Sequence, residues 1–382
     1  LLSEIIPQFL SHLTEKGKKI KSKTMEEYRV KLTLFLEIVG DMKVSNLSEQ
    51  HIIAYRNILE KLPPNRNKKK EFIGLTAIEA AQINTGKTIS ITTVQNTMIR
   101  VSTLCNWCRD RKLIDFNPVT DFIPETKLKK NTSRISFQDE DLLELFGNRE
   151  ILTFSKKDIT AYAYWSGLLA LYTGARLEEI CMLRIECFHL DEKTPYVLIE
   201  PYFDTQFNTM IELKTPGSER RIPLHPDLKK MGFFDYVKGM EKAGFYKIFP
   251  ELALLRDGFG GRVSKWFARF KERHLSCNDM GKKTFHSFRH TFINRLKNSG
   301  VDDRFITELI GHTGEKKSKL DVHYVDEIEL SELYKIIKIL DYPVNKFSPQ
   351  MKDVSKKLIR YAEGYAITKP EDLKPSIMGE SR

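Results

Sequence analysis

Seventeen consecutive residues without a charge, Ile159 to Ala175, lie between Asp158 and Arg176. A stretch this apolar has to be buried, and what buries it constrains the rest of the chain. It sits at the lower limit for a membrane span, for which about 20 residues are typical. It also carries Thr160, Ser166, Gly167, Thr173 and Gly174, and the sequence holds no second such stretch. The reading is therefore a core helix, with one domain assembled around it and a charged segment emerging at its end.

The chain has 382 residues, roughly two to three domains' worth. Hydrophobic residues make up 41% and charged residues 30%, which excludes collagen-like, disordered and disulfide-scaffold classes. Lysine and arginine number 62 against 51 aspartates and glutamates, a net charge of +11. That excess points to a polyanionic partner, nucleic acid before a membrane surface. Five cysteines, of which only Cys105 and Cys108 are close together, fit a reducing cytoplasm. The opening LLSEIIPQFLSHL carries Glu4, Pro7 and His12 and does not read as a secretory signal.

The first 123 residues read as helices. Thr24-Met-Glu-Glu27 has the capping-box pattern, in which a hydroxyl and a carboxylate satisfy orphan backbone N–H groups. Tyr28, Leu32, Phe35, Leu36 and Val39 follow at helical spacing, and Gly40 supplies the stop. Ser48 caps a helix bearing Ile52, Ile53, Tyr55 and Ile58, which Pro63-Pro64 ends. Thr92-Thr-Val-Gln95 predicts another helix start, with Met98, Val101, Leu104, Cys105, Trp107 and Cys108 behind it. The two cysteines lie on its apolar side, so they read as core residues rather than half a zinc or redox site. Asn117-Pro118 then breaks the chain. A basic linker over residues 124–135, with no acid between Lys127 and Arg134, separates this helical domain from a second domain over 136–330. Residues 331–382 form a tail.

The second domain is mixed. Leu142, Leu143, Leu145 and Phe146 restart helical structure, and Tyr196 to Glu200 is a β-rich run. Met210 to Lys214, a turn through Thr215-Pro-Gly-Ser218, and Arg221 to Leu224 read as a hairpin. Pro223 demotes its last strand to an edge. Helices resume near Val263. The expected fold class is mainly α with a small antiparallel β-sheet.

Four segments carry chemistry. The first is Thr173-Gly-Ala-Arg176-Leu-Glu-Glu179-Ile180, and the second is Lys214 at the end of a strand. The third is His286-Ser-Phe-Arg289-His290, where positions 286 and 289 share one face of a helix. The fourth is Gly311-His312, followed twelve residues later by Tyr324. His286 and His290 have the spacing of helical zinc ligands, but Ser287 stands where a metalloprotease needs glutamate, so no metal is expected.

Together these segments resemble the tyrosine recombinase family, the phage-type integrases. Gly174-Ala-Arg176-Leu-Glu-Glu179, Lys214, His286-Ser-Phe-Arg289, Gly311-His312 and Tyr324 match its boxes in order. The Trp107 helix with Asn117-Pro118 looks like the end of the family's core-binding domain. The interval between His312 and Tyr324, TGEKKSKLDVH, is longer than the family usually shows. The resemblance implies a helical, SAM-like core-binding domain and an α+β catalytic domain that clamp duplex DNA as a homotetramer. It also implies accessory DNA-bending or excisionase proteins, a nucleoid-associated location, and no cofactor.

Physical logic assigns the roles within that resemblance. Breaking a phosphodiester without metal needs permanent positive charge where the phosphorane develops, and Arg176 and Arg289 supply it. His286 and His312 add hydrogen bonds or handle the proton of Tyr324, the nucleophile. Lys214 is the candidate general acid for the 5′ oxygen, with Arg220 and Arg221 as nearby alternatives. Glu179 orients the arginines, His290 packs or hydrogen-bonds within the site, and Glu178 reads as a solvated neighbour. Arg66, Lys68, Lys69, Lys70, Lys127, Lys129, Lys130 and Arg134 are the candidate phosphate contacts. The expected function is a site-specific recombinase, the integrase of a prophage or other mobile element. The alternatives are a Xer-type chromosome-dimer resolvase, a type IB topoisomerase, and a DNA-binding protein without catalysis. The tail, with Leu333, Ile336, Ile337 and Leu340 and then Val354, Leu358, Ile359 and Tyr361, is expected to pack on a neighbouring protomer.

Overall fold

In the computed structural model the chain falls into two units, Leu1–Asn131 and Thr132–Arg382, each with a hydrophobic core of its own. The structure describes residues 1–15, 20, 22–83, 86–125, 135–152, 161–215, 218–256, 258–276, 282–311 and 328–368.

The first unit contains α1 (Leu2–Glu15), α2 (Ser22–Val39), α3 (Glu49–Lys61), α4 (Ala77–Gln82) and α5 (Ile91–Asp110). Tyr28, Leu32 and Phe35 on α2 face Tyr55 on α3 and Met98, Val101 and Leu104 on α5, all buried. Each such side chain contributes about 1.5–3 kcal/mol on leaving water. Cys105 and Cys108 lie in this core, where burial pushes their thiols up to about 12 and about 11. Ser48 is the N-cap of α3, as expected. Two expected starts shift. α2 begins at Ser22, upstream of Thr24. α5 is capped by Ser90, whose hydroxyl accepts from Thr93 N at 3.2 Å, so Thr92 lies inside the helix.

The second unit is mainly helical with small antiparallel sheets. It begins with α6 (Asp139–Phe146) and α7 (Arg149–Leu152), followed by α8 (Ala161–Thr173) and α9 (Leu177–Cys181). Helix α8 spans most of the described part of the uncharged stretch, and Trp165, Leu168, Leu171 and Tyr172 on it are fully buried. Among the described residues no helix is long and apolar enough to cross a membrane.

Strands β1 (Phe188–His189), β2 (Tyr196–Ile199), β3 (Tyr202–Asp204), β4 (Thr209–Ile211) and β5 (Arg220–Pro223) follow. The predicted hairpin between Met210–Lys214 and Arg221–Leu224 does not form. β4 pairs with β3, with Phe203 opposite Met210, and β5 pairs with β2, with Val197 opposite Ile222. Burial explains the choice: Ile222, Val197 and Ile199 put their side chains into the core only in the β2–β5 register. β5 is an edge of the β1-β2-β5 sheet, where the missing N–H of Pro223 interrupts no ladder.

Helices α10 (Pro226–Lys230), α11 (Phe233–Lys242), α12 (Gly260–His274), α13 (Ser287–Asn298), α14 (Asp303–Ile310), α15 (Leu330–Ile337) and α16 (Ser348–Thr368) follow. The tail packs on its own unit in this chain. Leu333, Ile337, Leu340, Val354 and Leu358 are buried in the core of their own unit. The Ser355 hydroxyl donates to Gly232 O at 2.7 Å, and Gly239 leaves room for Ile359. In this chain α15 packs against β5 and α14, and α16 packs against α10 and α11.

Candidate active site

The uncharged helix ends where the first arginine begins. Thr173 closes α8, and Gly174 turns the chain at φ +64°, in the left-handed region. A Cβ there would also stand 2.5 Å from Phe292 on α13, so the box needs glycine twice over. Arg176 is then the N-cap residue of α9. Its backbone N–H donates to Glu179 Oε2 at 2.8 Å, and its Nη1 donates to Glu179 Oε1 at 2.7 Å. Glu179 is buried, and burial pushes its carboxyl up. The Arg220 and Arg176 contacts outweigh that, so its pKa lies below the ordinary value.

Arg289, on α13, is 5% exposed. Its Nη1 donates to Gly174 O at 2.6 Å and its Nη2 to Ile310 O at 2.8 Å. These take two of the five donors of the guanidinium fork. Burial, and then the nearby Arg176 charge, pull its pKa down to about 10, with Glu179 opposing. It remains a cation at neutral pH. His286 is the cap residue just before α13 rather than a residue within it, and its ring meets that of His290 edge-to-face at 5.0 Å. Both rings are half-buried.

A third guanidinium joins this group. Arg220, at the start of β5, is buried and gives Glu179 Oε2 a 2.8 Å bond from Nη2. Its Nη1 donates to Ser218 O at 2.7 Å and its Nε to Leu309 O at 2.8 Å. The sequence placed Arg220 only as a substitute for Lys214. A guanidinium committed to three acceptors below the surface cannot serve as the leaving-group acid, whereas Lys214 and Arg221 are both exposed. Lys214 lies in the loop between β4 and β5, three residues beyond the end of β4 rather than on a strand.

Glu178 is a second residue that the sequence undervalued. Its Oε1 accepts from Phe259 N at 2.7 Å and its Oε2 from Gly260 N at 2.8 Å. A carboxylate on the first N–H groups of α12 complements that helix's positive end. Glu178 thereby fastens α9, and with it Arg176, to α12. The pattern Gly258-Phe-Gly260 before a helix was the available signal.

His312 and Tyr324 lie outside the described residues, as do Lys127, Lys129, Lys130 and Arg134. In the first unit, Lys68 and Lys70 are exposed and Lys69 is paired with Glu71 at 3.5 Å. Arg66 is paired within its own unit. Its Nη2 donates to Glu37 at 2.6 Å, and the same Glu37 accepts Ala77 N at 2.6 Å, so Arg66 fastens its loop to α2.

The site thus holds three guanidiniums around one buried carboxylate, an arrangement built to present fixed positive charge. Comparison with known proteins bears on the family. Residues 140–327 match the phage integrase family. A tyrosine recombinase of Pseudothermotoga lettingae is 21% identical over 311 residues, covering 78% of this chain and 95% of that protein. The tyrosine recombinase XerC of Thermodesulfovibrio yellowstonii is 25% identical over 309 residues, covering 78% and 93%. The fold is similar to that of a lambda integrase tetramer bound to a Holliday junction, with TM-score 0.55, 20% identity and coverage of 86% of this chain and 80% of that one. It is also similar to the Tn1549 transposon integrase in complex with circular intermediate DNA, with TM-score 0.55, 14% identity and coverage of 85% and 96%. Residues 140–327 belong to the phage integrase family, and the chain as a whole is similar to tyrosine recombinases. It is a site-specific DNA recombinase.

Proposed function

We propose that this recombinase is the integrase of a prophage or other mobile element. On this reading it breaks and rejoins duplex DNA at attachment sites through a 3′-phosphotyrosyl link to Tyr324. The observation that carries the chemistry is the cluster of Arg176 and Arg289 around Glu179. Arg176 and Arg289 hold the non-bridging oxygens of the scissile phosphate, where charge grows as Tyr324 attacks. The Tyr324 proton leaves toward His286 or His312. The bond to the 5′ oxygen then breaks, and Lys214 delivers a proton to it. Religation runs the same steps in reverse with a 5′ hydroxyl from another strand.

Four strands are exchanged in such a reaction, so the working form is a homotetramer on DNA, with accessory DNA-bending or excisionase proteins setting direction. The lambda integrase tetramer supports that assembly. Arg66, Lys68, Lys69, Lys70, Lys127, Lys129, Lys130 and Arg134 serve as phosphate contacts, with 1–123 as core-binding domain and 136–330 as catalytic domain. The XerC relative favours a second reading, resolution of chromosome dimers at two like sites.

The test is covalent trapping on a nicked duplex carrying the attachment sequence, run in EDTA. The wild-type chain should form an adduct whose DNA-linked peptide contains Tyr324, and Tyr324→Phe should bind DNA but form none. An adduct formed by Tyr324→Phe, or one abolished by EDTA and restored by magnesium, would contradict the proposal.

A further inference from the structure

Arg220 does more than fill a corner of the site. Its three bonded acceptors belong to three different segments: Glu179 after Arg176, Ser218 in the loop that carries Lys214, and Leu309 at the end of α14. We infer that Arg220 is a positioning residue that couples the Lys214 loop to the Arg176–Arg289 pair. This rests on the reading of Lys214 as the general acid.

The path is short at every link. The Thr215 and Ser218 hydroxyls are bonded at 2.6 Å, so the residue next to Lys214 is held to Ser218. The Ser218 carbonyl accepts from Arg220 Nη1, and Arg220 Nη2 reaches Glu179, which holds Arg176 through both its side chain and its backbone. Lys214 itself is exposed, so the fixed end of its loop is set from behind, at Ser218, which is fully buried.

The third bond ties in the far side. Leu309 and Ile310 occupy the last turn of α14, where carbonyls lack helical partners and carry the helix's partial negative charge. Arg220 takes the first of these carbonyls and Arg289 the second. Gly311 ends the helix at φ +60°, and a Cβ on it would stand 2.8 Å from Arg220 Nη1. The glycine before His312 is therefore the space that the Arg220 guanidinium occupies. Lysine at position 220 could keep the charge beside Glu179, but one ammonium on a straight stem cannot reproduce the planar fork that spans the three acceptors.

The experiment is single-turnover cleavage of a nicked duplex, with an oxygen or a sulfur atom bridging to the 5′ leaving group. It is run on Arg220→Lys, Thr215→Val, Lys214→Ala, and each of the first two combined with Lys214→Ala. Thermal midpoint and DNA affinity are measured on every variant, and Thr215→Val stands in should Arg220→Lys fail to fold. Arg220→Lys should slow cleavage of the oxygen substrate about tenfold, the scale of coupling within one bonded network, and Thr215→Val should slow it less. Both defects should shrink to within about twofold on the sulfur substrate and in the Lys214→Ala background. Losses equal on the two substrates and additive to Lys214→Ala overturn the coupling and leave Arg220 as packing. A Lys214→Ala protein that cleaves the oxygen substrate normally removes the acid reading, and the coupling with it, through that arm alone.

Discussion

Arg289 and Lys214 are assigned to the same phosphate, and the fold treats the two cations in opposite ways. Arg289 is buried, bonded to two backbone carbonyls from separate segments, and lies within the field of Arg176, Arg220 and Glu179. Lys214 stands exposed on a loop whose anchor lies four residues away at Ser218. The difference follows from the work each group is given. Charge that stabilises a transition state acts best when it is already oriented and needs no reorganisation. A proton donor has to give up its proton and regain it, which favours a group in contact with solvent. The buried arginines also repel one another, so Glu179 is as necessary to the arrangement as the cations.

The largest break in that comparison comes from the buried side. Arg176→Ala should reduce strand cleavage by about 10³ or more, in the range seen when an oriented donor is removed. DNA binding should persist, since the proposed phosphate contacts lie elsewhere. A quantitative cleavage assay beside a binding titration checks both.

Glu179→Gln sharpens the comparison by leaving every cation in place. Without the carboxylate, three guanidiniums share one buried region with only an amide between them. Cleavage should fall by roughly 10 to 100-fold, the worth of a hydrogen bond to a charged group, and the thermal midpoint should fall with it. A protein that loses stability but cleaves at the normal rate would separate the carboxylate from the chemistry.

The smallest effect concerns the scaffold under Arg176. Glu251 accepts from Tyr162 N at the start of α8 at 3.1 Å, and burial pushes its carboxyl up from 4.5 to about 7. The folded state therefore binds a proton that the unfolded state has released between these values. Stability falls as pH rises from about 4.5 to 7, and the loss is complete above it. From this group the loss is on the order of 1–3 kcal/mol. Glu251→Gln should flatten that dependence and unfold at a higher temperature than the wild type at pH 8, with little difference at pH 4.5. Melts across this range check it.

Much of this was legible in the sequence. The uncharged stretch marked α8 because only burial accommodates it, and the boxes around Arg176 and Arg289 sat on the expected helices. The readings that failed depend on distant partners. Local alternation suggested that Met210–Lys214 pairs with Arg221–Leu224, but β5 pairs with β2, more than twenty residues earlier, because that register buries Ile222. Arg220 looked like a spare cation since its acceptors come from 41 and 89 residues away as well as from Ser218. Glu178 looked solvated because the N–H groups that it caps are 81 and 82 residues downstream. The tail's Leu333, Ile337, Leu340, Val354 and Leu358 are buried within their own unit, which local spacing alone does not reveal.

The division of labour between the two cations can be measured in one experiment. Cleavage by Lys214→Ala and by Arg289→Ala is compared on oxygen-bridged and 5′-sulfur-bridged substrates, the sulfur being a leaving group that needs no proton. Lys214→Ala should be slowed about 10² or more on oxygen and recover most of that on sulfur. Arg289→Ala should stay slow on both, because the charge it supplies is needed whichever atom leaves. Recovery of Arg289→Ala on sulfur, or failure of Lys214→Ala to recover, would contradict the account.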